Sequence, residues 1–378
     1  MIYFDNAATT YPKPFQVRNA AVMAITKYGG NPGRSGHKIS MAVAEQVYNV
    51  RNLAANFFGA EAENVIFTLN CTHALNLAIK GFLQDGGHVI FSSLEHNSVS
   101  RPIYALSKKN VSYSIANVCV DDDDTINNFE SLINPDTKAI ICTVASNVTG
   151  QVLPYKRIGE LCRKHSLCFI ADGAQACGII PLKMSDGFNF LCTAGHKGLY
   201  GTTGTGLLIT DGKYQLSTII EGGTGTTSDE LEQTPILPEM LESGTLNTVG
   251  IISLGAGIKF INSYSMYKIF SHENHLCNMF LNGIKNLKGI TVYRQNNARY
   301  VPIVSFNIHG LAAGEVSKML NEMGFALRGG LHCAGIAHNY LGTINGGAVR
   351  FAPSTFNTEQ EVMLIVNSLK KILVNLKN

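Results

Sequence analysis

The sequence predicts an α/β fold: a large mixed-sheet domain, followed by a smaller C-terminal α/β domain. Three observations predict it. From about residue 64 to 210, short apolar runs alternate with helical patterns. These runs are continuously hydrophobic rather than alternating, as in strands covered on both faces. After about residue 300 a second, shorter strand and helix pattern begins.

The strand runs of the first block are residues 64–68, 88–92, 139–144, 168–172, 188–192 and 206–210. Ahead of them, Val43, Val47, Val50, Ala54 and Phe57 recur at helical spacing and stop at Gly59, a glycine suited to a left-handed helix end. The acidic run Asp121 to Asp124 precedes Ile126, Phe129, Leu132 and Ile133, so it reads as a helix N-terminus complementing the dipole rather than as a metal loop. Residues 248–286 read as mostly helical. In the last block, 301–308, 325–328 and 348–351 read as strands and 314–323 as a helix. A closing helix starts at Thr358 with Glu361 in capping-box spacing and carries Val362, Ile365, Leu369, Ile372 and Leu376 on one face. The expected division is a large domain over 1–250, whose N-terminal segment can pack with the other part, and a small domain over 251–378.

A chain of 378 residues has room for two domains. Charged residues make up 15%, below the usual quarter or so, which hints at surface buried in an oligomer. With a net charge of +3 and no Lys and Arg block, nothing supports nucleic-acid binding. The N-terminus lacks a basic and apolar leader, and the longest nearly apolar run, 249–258, is too short for a bilayer. Nine cysteines without a CxxC pair do not form a disulfide framework or a metal site, so a cytoplasmic protein is expected.

The polar residues just after each apolar run are more telling. In open α/β sheets, ligands bind beyond the carboxyl ends of the strands. Here those ends carry Asn70 to His73, Glu95 to Asn97, Ser146 and Asn147, Asp172 to Gln175, and Gly195 to Lys197. Thr72 opens a helix, whose free amides suit a phosphate. Asp172 ends a wholly apolar strand and needs a cationic partner. Lys197 lies at a neighbouring strand end, where a desolvated amine has a lowered pKa and can form an imine. An imine lysine, a carboxylate for a pyridine nitrogen and a helix N-terminus for phosphate are what pyridoxal phosphate asks for.

The ordered motifs YFDNAATT from Tyr3, NPGRSGH from Asn31, LEHNS from Leu94, SNVTG from Ser146, ADGAQ from Ala171, GHKGLYG from Gly195, ESGTLNT from Glu242, RGGLHCAG from Arg328 and VRFAPSTFNT from Val349 span nearly the whole chain. Their set resembles the class V aminotransferase-like family of fold-type-I pyridoxal-phosphate enzymes, and within it the cysteine desulfurases and selenocysteine lyases. The resemblance implies that Lys197 holds the cofactor as a Schiff base and then moves the Cα proton. It implies that Asp172 keeps the pyridine nitrogen protonated, Gln175 bonds the ring hydroxyl, and His96 stacks on the ring and serves as an acid or base. The Cys71 amide, Thr72 and His196 would hold the phosphate, with Thr245 reaching the phosphate of a partner subunit in a homodimer. Asn147 and Arg350 would fix the substrate carboxylate. The chain departs from the family pattern at Asn70, His73, Ala194 and Leu331.

By the same resemblance Cys333 attacks the sulfur of L-cysteine and becomes a persulfide while L-alanine leaves. A thiolate is the nucleophile, and a charged His332 would favour it. Glycines 329, 330 and 335 suit a moving loop. The expected activity is therefore a cysteine desulfurase that hands sulfur to a separate acceptor protein. A selenocysteine lyase, another β-eliminase or an aminotransferase would keep Lys197, Asp172 and Arg350 without needing the thiol. A non-catalytic scaffold would not need the intact set.

Overall fold

The computed structural model describes residues 1–33, 36–225 and 229–376; Arg34 and Ser35 of the NPGRSGH motif lie outside the described residues. The chain opens with strand β1 (Ile2–Tyr3) and helices α1 (Phe15–Thr26) and α2 (Lys38–Phe58). Gly59 ends α2 at φ +69°, the left-handed cap its position predicts.

Seven strands follow: β2 (Val65–Thr68), β3 (Gly87–Ser92), β4 (Val111–Ala116), β5 (Thr137–Thr143), β6 (Cys168–Asp172), β7 (Phe190–Ala194) and β8 (Gly206–Thr210). They form one sheet in the order β2-β8-β7-β6-β5-β3-β4, with β8 antiparallel to both its neighbours and all other pairings parallel. Helices α3 (Cys71–Phe82), α4 (Asn97–Ser107), α5 (Asp122–Ser131) and α6 (Tyr155–Lys164) connect the strands. The sheet is covered on both faces. Ile140, Phe169, Leu191 and Leu207 enter one apolar cluster, while their neighbours Ile141, Ile170, Phe190 and Leu208 enter another. Asp121 caps α5, its Oδ1 accepting the amides of Asp123 and Asp124.

Two of these strands differ from the sequence expectation. β4 has an alternating pattern and lies at the sheet edge with several residues exposed, so it lacks the fully apolar signature. β7 begins two residues late because the Asn189 side chain bridges the Phe169 amide and the Asp211 carboxylate.

Two long helices, α7 (Thr248–Tyr264) and α8 (Met266–Ile284), lead to a second sheet. Its strands are β9 (Ile290–Val292), β10 (Val304–Ile308), β12 (Arg328–Gly330) and β13 (Ala348–Phe351), in the order β12-β13-β10-β9; helices α9 (Ala313–Glu322), α10 (Gly335–Tyr340) and α11 (Glu359–Asn375) complete the block. The run at 301–308 yields a shorter strand because its first residues turn to the large sheet, the Val301 amide bonding the Gly150 carbonyl. The run at 325–328 splits. Phe325–Ala326 (β11) pairs in parallel with β1, and β12 pairs with β13. The N-terminus is thereby built into the C-terminal block, with Phe4 buried against Phe351 in the third apolar cluster. Thr358 and Glu361 form the expected capping box of α11. Among the described residues, no helix is long and apolar enough to cross a membrane.

Candidate active site

The strand order reverses at β3: β4 lies on one side and β5 on the other, and the crevice at such a point is where open sheets bind ligands. At the carboxyl ends of β3 and β5 to β7 there is a cleft of about 610 Å³. Its walls include Cys71, Thr72, His96, Asn147, Asp172, Gln175, His196 and Lys197. Eight of the eleven residues singled out from the sequence thus share one cavity. Ser98, Thr143, Asn70 and Ala194 line it as well.

Each side chain is placed by a local device. Asn70, rather than Thr72, caps α3, its Oδ1 accepting the His73 amide at 2.9 Å. That leaves Thr72 in the first turn, where amides have no intrahelical acceptor, and its hydroxyl meets that of Ser98 at 2.7 Å. His96 caps α4, its Nδ1 accepting the Ser98 amide at 3.0 Å. The ring proton of the neutral imidazole therefore sits on Nε2. Burial lowers the His96 pKa to about 4, so the ring is neutral at physiological pH. Ser98 and Thr143 are members of this wall that the sequence did not single out; LEHNS contains Ser98, but a serine after a histidine carries no signal of its own.

Asp172 ends β6 and accepts the Ala174 amide at 2.9 Å, with the Cys71 thiol 3.4 Å away. Burial holds that thiol well above its ordinary pKa, so it stays a neutral donor. Gln175 donates to the Ala7 carbonyl at 3.0 Å. Lys197 lies in a tight turn after β7, with the Tyr200 amide bonding its carbonyl at 2.9 Å and the Gly201 amide bonding that of Gly195 at 2.8 Å. Glycine is required beside it: a Cβ on Gly198 would lie 2.4 Å from the Cys177 carbonyl oxygen. Desolvation lowers the Lys197 amine's pKa, and Asp172 opposes the shift. An amine of this kind is more readily unprotonated and nucleophilic than a surface lysine.

The remaining three residues are not part of the cleft lining. Arg350, on β13, is buried; its Nη2 donates to Asp5 Oδ1 at 2.9 Å and its Nη1 to the Asn147 carbonyl at 3.0 Å. Its Nε is buried without a partner among the described residues. Cys333 is exposed in the turn between β12 and α10. The turn is tied to the large sheet twice, by the Asn97 amide to the Cys333 carbonyl (2.7 Å) and by Asn147 Nδ2 to the His332 carbonyl (2.8 Å). His332 does not supply a charge to the thiol. Burial, with Arg350 nearby, lowers its pKa to about 3, and its Nε2 bonds the Ala348 carbonyl. The cation at the sulfur is Arg328, with Nη2 3.8 Å from Sγ. Thr245 is exposed and does not line the cleft. Its segment is anchored by buried Glu242, which takes a two-pronged bond from Arg51 (2.7 and 2.8 Å) and the Phe67 amide.

The donor set fits a phosphorylated pyridine aldehyde. His196 Nδ1 is buried in the cleft wall without a partner among the described residues, and hydroxyls and helix amides converge at one end. A carboxylate at a strand end and an amine of lowered pKa complete the set. The comparisons agree. The aminotransferase class-V family model matches residues 2–365. A probable cysteine desulfurase of Methanothermobacter thermautotrophicus is 30% identical across 98% of this chain and 94% of its own. A cysteine desulfurase of Shigella flexneri is 28% identical across 98% and 93%. The apo cysteine desulfurase of Thermococcus onnurineus superposes with a TM-score of 0.91 at 26% identity, over 99% of this chain and 95% of that one. Sequence, fold and cleft chemistry lead to one conclusion: the chain belongs to the class-V aminotransferase family, fold-type-I enzymes that depend on pyridoxal phosphate.

Proposed function

We propose that the protein is a cysteine desulfurase that converts L-cysteine to L-alanine and keeps the sulfur as a persulfide on Cys333. The observation that carries this reading is the position of Cys333. It is the one exposed cysteine of nine, and its turn is fastened beside His96 and Asn147 at the mouth of the cleft. A thiolate there would help hold the Lys197 ammonium charged.

Bound pyridoxal phosphate supplies an electron sink for the substrate's α-carbon. Lys197 would anchor it and carry the proton to and from that carbon. Asp172 would pair with the pyridine nitrogen, Gln175 with the ring hydroxyl, and neutral His96 would cover the ring face. Thr72, the Cys71 amide and His196 would hold the phosphate, with Ser98 orienting Thr72 and His96. Arg350 and Asn147 would take the substrate carboxylate, Arg350 turning partly from Asp5 to do so. The Cys333 thiolate would then attack the substrate sulfur. The S–S bond forms as the C–S bond breaks, and the carbon takes up a proton to leave as alanine.

Two further parts of the reading concern partners. Exposed Thr245, held on its buried Glu242 anchor, is available to a second copy of the chain, in keeping with a homodimer. An exposed persulfide suits transfer to an acceptor protein. Incubation of the loaded enzyme with L-cysteine should yield alanine, and mass spectrometry should find the extra sulfur on Cys333. Cys333→Ala should lose both with L-cysteine. Undiminished alanine from that variant with L-cysteine would overturn the reading, as would pyruvate in place of alanine.

A further inference from the structure

The N-terminal segment touches three parts of the candidate site. Asp5 holds Arg350 and the Ala7 carbonyl holds Gln175, while Thr9, Thr10 and Lys13 close on the turn that carries Lys197. The last contact is the densest. The His196 carbonyl, one peptide bond before Lys197, is met by the Thr10 amide (3.1 Å), the Thr9 hydroxyl (3.1 Å), the Thr10 hydroxyl (3.2 Å) and the Lys13 ammonium (2.7 Å). A carbonyl oxygen has only two lone pairs. The charged donor is the nearest, and charge-assisted bonds are the stronger ones. Lys13 also donates to the Thr10 hydroxyl at 2.6 Å, which frees that hydroxyl's proton for the Lys197 carbonyl at 3.2 Å. One ammonium thereby secures both peptide carbonyls around the reactive lysine.

General stability does not explain a lysine at this position. Among the described residues no carboxylate pairs with it, and burial lowers its pKa to about 8. It also stands two residues ahead of the first residue of α1, where a positive charge opposes the helix dipole. Two unfavourable effects are accepted for hydrogen bonds that, among the described residues, go to Thr10 and to the peptide before Lys197.

We propose that Lys13 is a positioning residue for Lys197: through the His196 carbonyl and Thr10 it fixes the turn that presents the reactive amine. This rests on the reading of Lys197 as the cofactor lysine, and the test separates the two. The enzyme loaded with pyridoxal phosphate is prepared as wild type, Lys13→Met and Lys13→Arg. Each is measured for kcat and KM with L-cysteine and for the circular dichroism that the bound cofactor shows in the visible range. Borohydride reduction and peptide mapping then locate the cofactor.

In Lys13→Met, kcat should fall roughly tenfold to a hundredfold, as for a reacting group displaced by a fraction of an ångström to one ångström. KM should stay within about twofold. The cofactor's dichroism should weaken, and Lys13→Arg should restore most of both signals. Should Lys13→Met not accumulate, Lys13→Gln, a neutral donor, carries the same test. Unchanged kcat and dichroism in the neutral variant would overturn the proposal. So would a lower melting temperature with unchanged dichroism and no rescue by arginine. Reduced cofactor found on another lysine would instead remove the Lys197 reading, and the proposal with it.

Discussion

Glu95 directly precedes His96, and its carboxyl group is buried between the ends of β3 and β5. Its Oε1 accepts the Thr143 amide at 2.8 Å and the Ser92 hydroxyl, while Oε2 has no partner among the described residues. Burial raises its pKa to about 8 against the pull of those two bonds, so the group is a neutral acid at physiological pH. The folded state then holds one proton more than the unfolded chain between about pH 4.5 and 8, and stability falls as pH rises across that window. Glu95→Gln, which keeps the shape without the titration, should leave the melting temperature near the wild-type value at about pH 4 and raise it by roughly 2–4 °C at about pH 9. An identical shift at both pH values would show that the carboxyl does not titrate in this way. Glu273, buried behind Tyr200 and also raised to about 8, has the same sign, so the single variant should flatten the profile only in part.

The elements that carry the site are short-range constructions, which is why much of it was legible in the sequence. Strands apolar on both faces, a carboxylate at the end of one, and glycines around Lys197 are signals contained within a few residues. The Asn70 cap is equally local, although the sequence reading places Thr72 at the helix start. Asn70→Ala removes the cap of α3 and should cost about 1 kcal/mol, together with weaker retention of the cofactor, both measurable by thermal melts with and without added pyridoxal phosphate. Gly198→Ala should be far more damaging, because its Cβ would collide with backbone rather than with a flexible side chain. The expected outcome is folded protein that no longer binds pyridoxal phosphate, or little folded protein at all; a variant that binds it as wild type does would refute the packing argument. Other features were not legible for a physical reason. The Asp5 to Arg350 pair spans 345 residues and the Lys13 to His196 bond 183, and neither leaves a local pattern. The edge strand β4 alternates apolar and polar residues and is partly exposed on both faces, and so lacks the continuous apolar run that exposed its neighbours.

At the scale of the whole molecule, the N-terminus joins the two sheets. β1 adds to β11 in the C-terminal block, Phe4 fills that block's core, and the next nine residues cross to the cleft of the large sheet. Phe4→Ala should destabilise the protein by about 3–5 kcal/mol, seen as a lower urea midpoint. Because Asp5 follows Phe4 and holds Arg350, the same variant should raise KM for L-cysteine more than it lowers kcat. A stability loss with KM unchanged would separate the core from the site. The strand pairings that set this arrangement are far apart in sequence, and only the assembled sheets show that the first dozen residues contact the candidate site.

The distribution of cysteines has a practical side. Seven of the nine are buried, Cys119 is half-buried, and Cys333 alone is exposed. A bulky maleimide added to the native protein should therefore register one fast thiol per chain, and that count would report the concentration of competent sites without any mutagenesis. The same arrangement makes Cys333 the first thiol that peroxide meets, so oxidative inactivation should track the loss of a single titratable sulfhydryl while the fold stays intact.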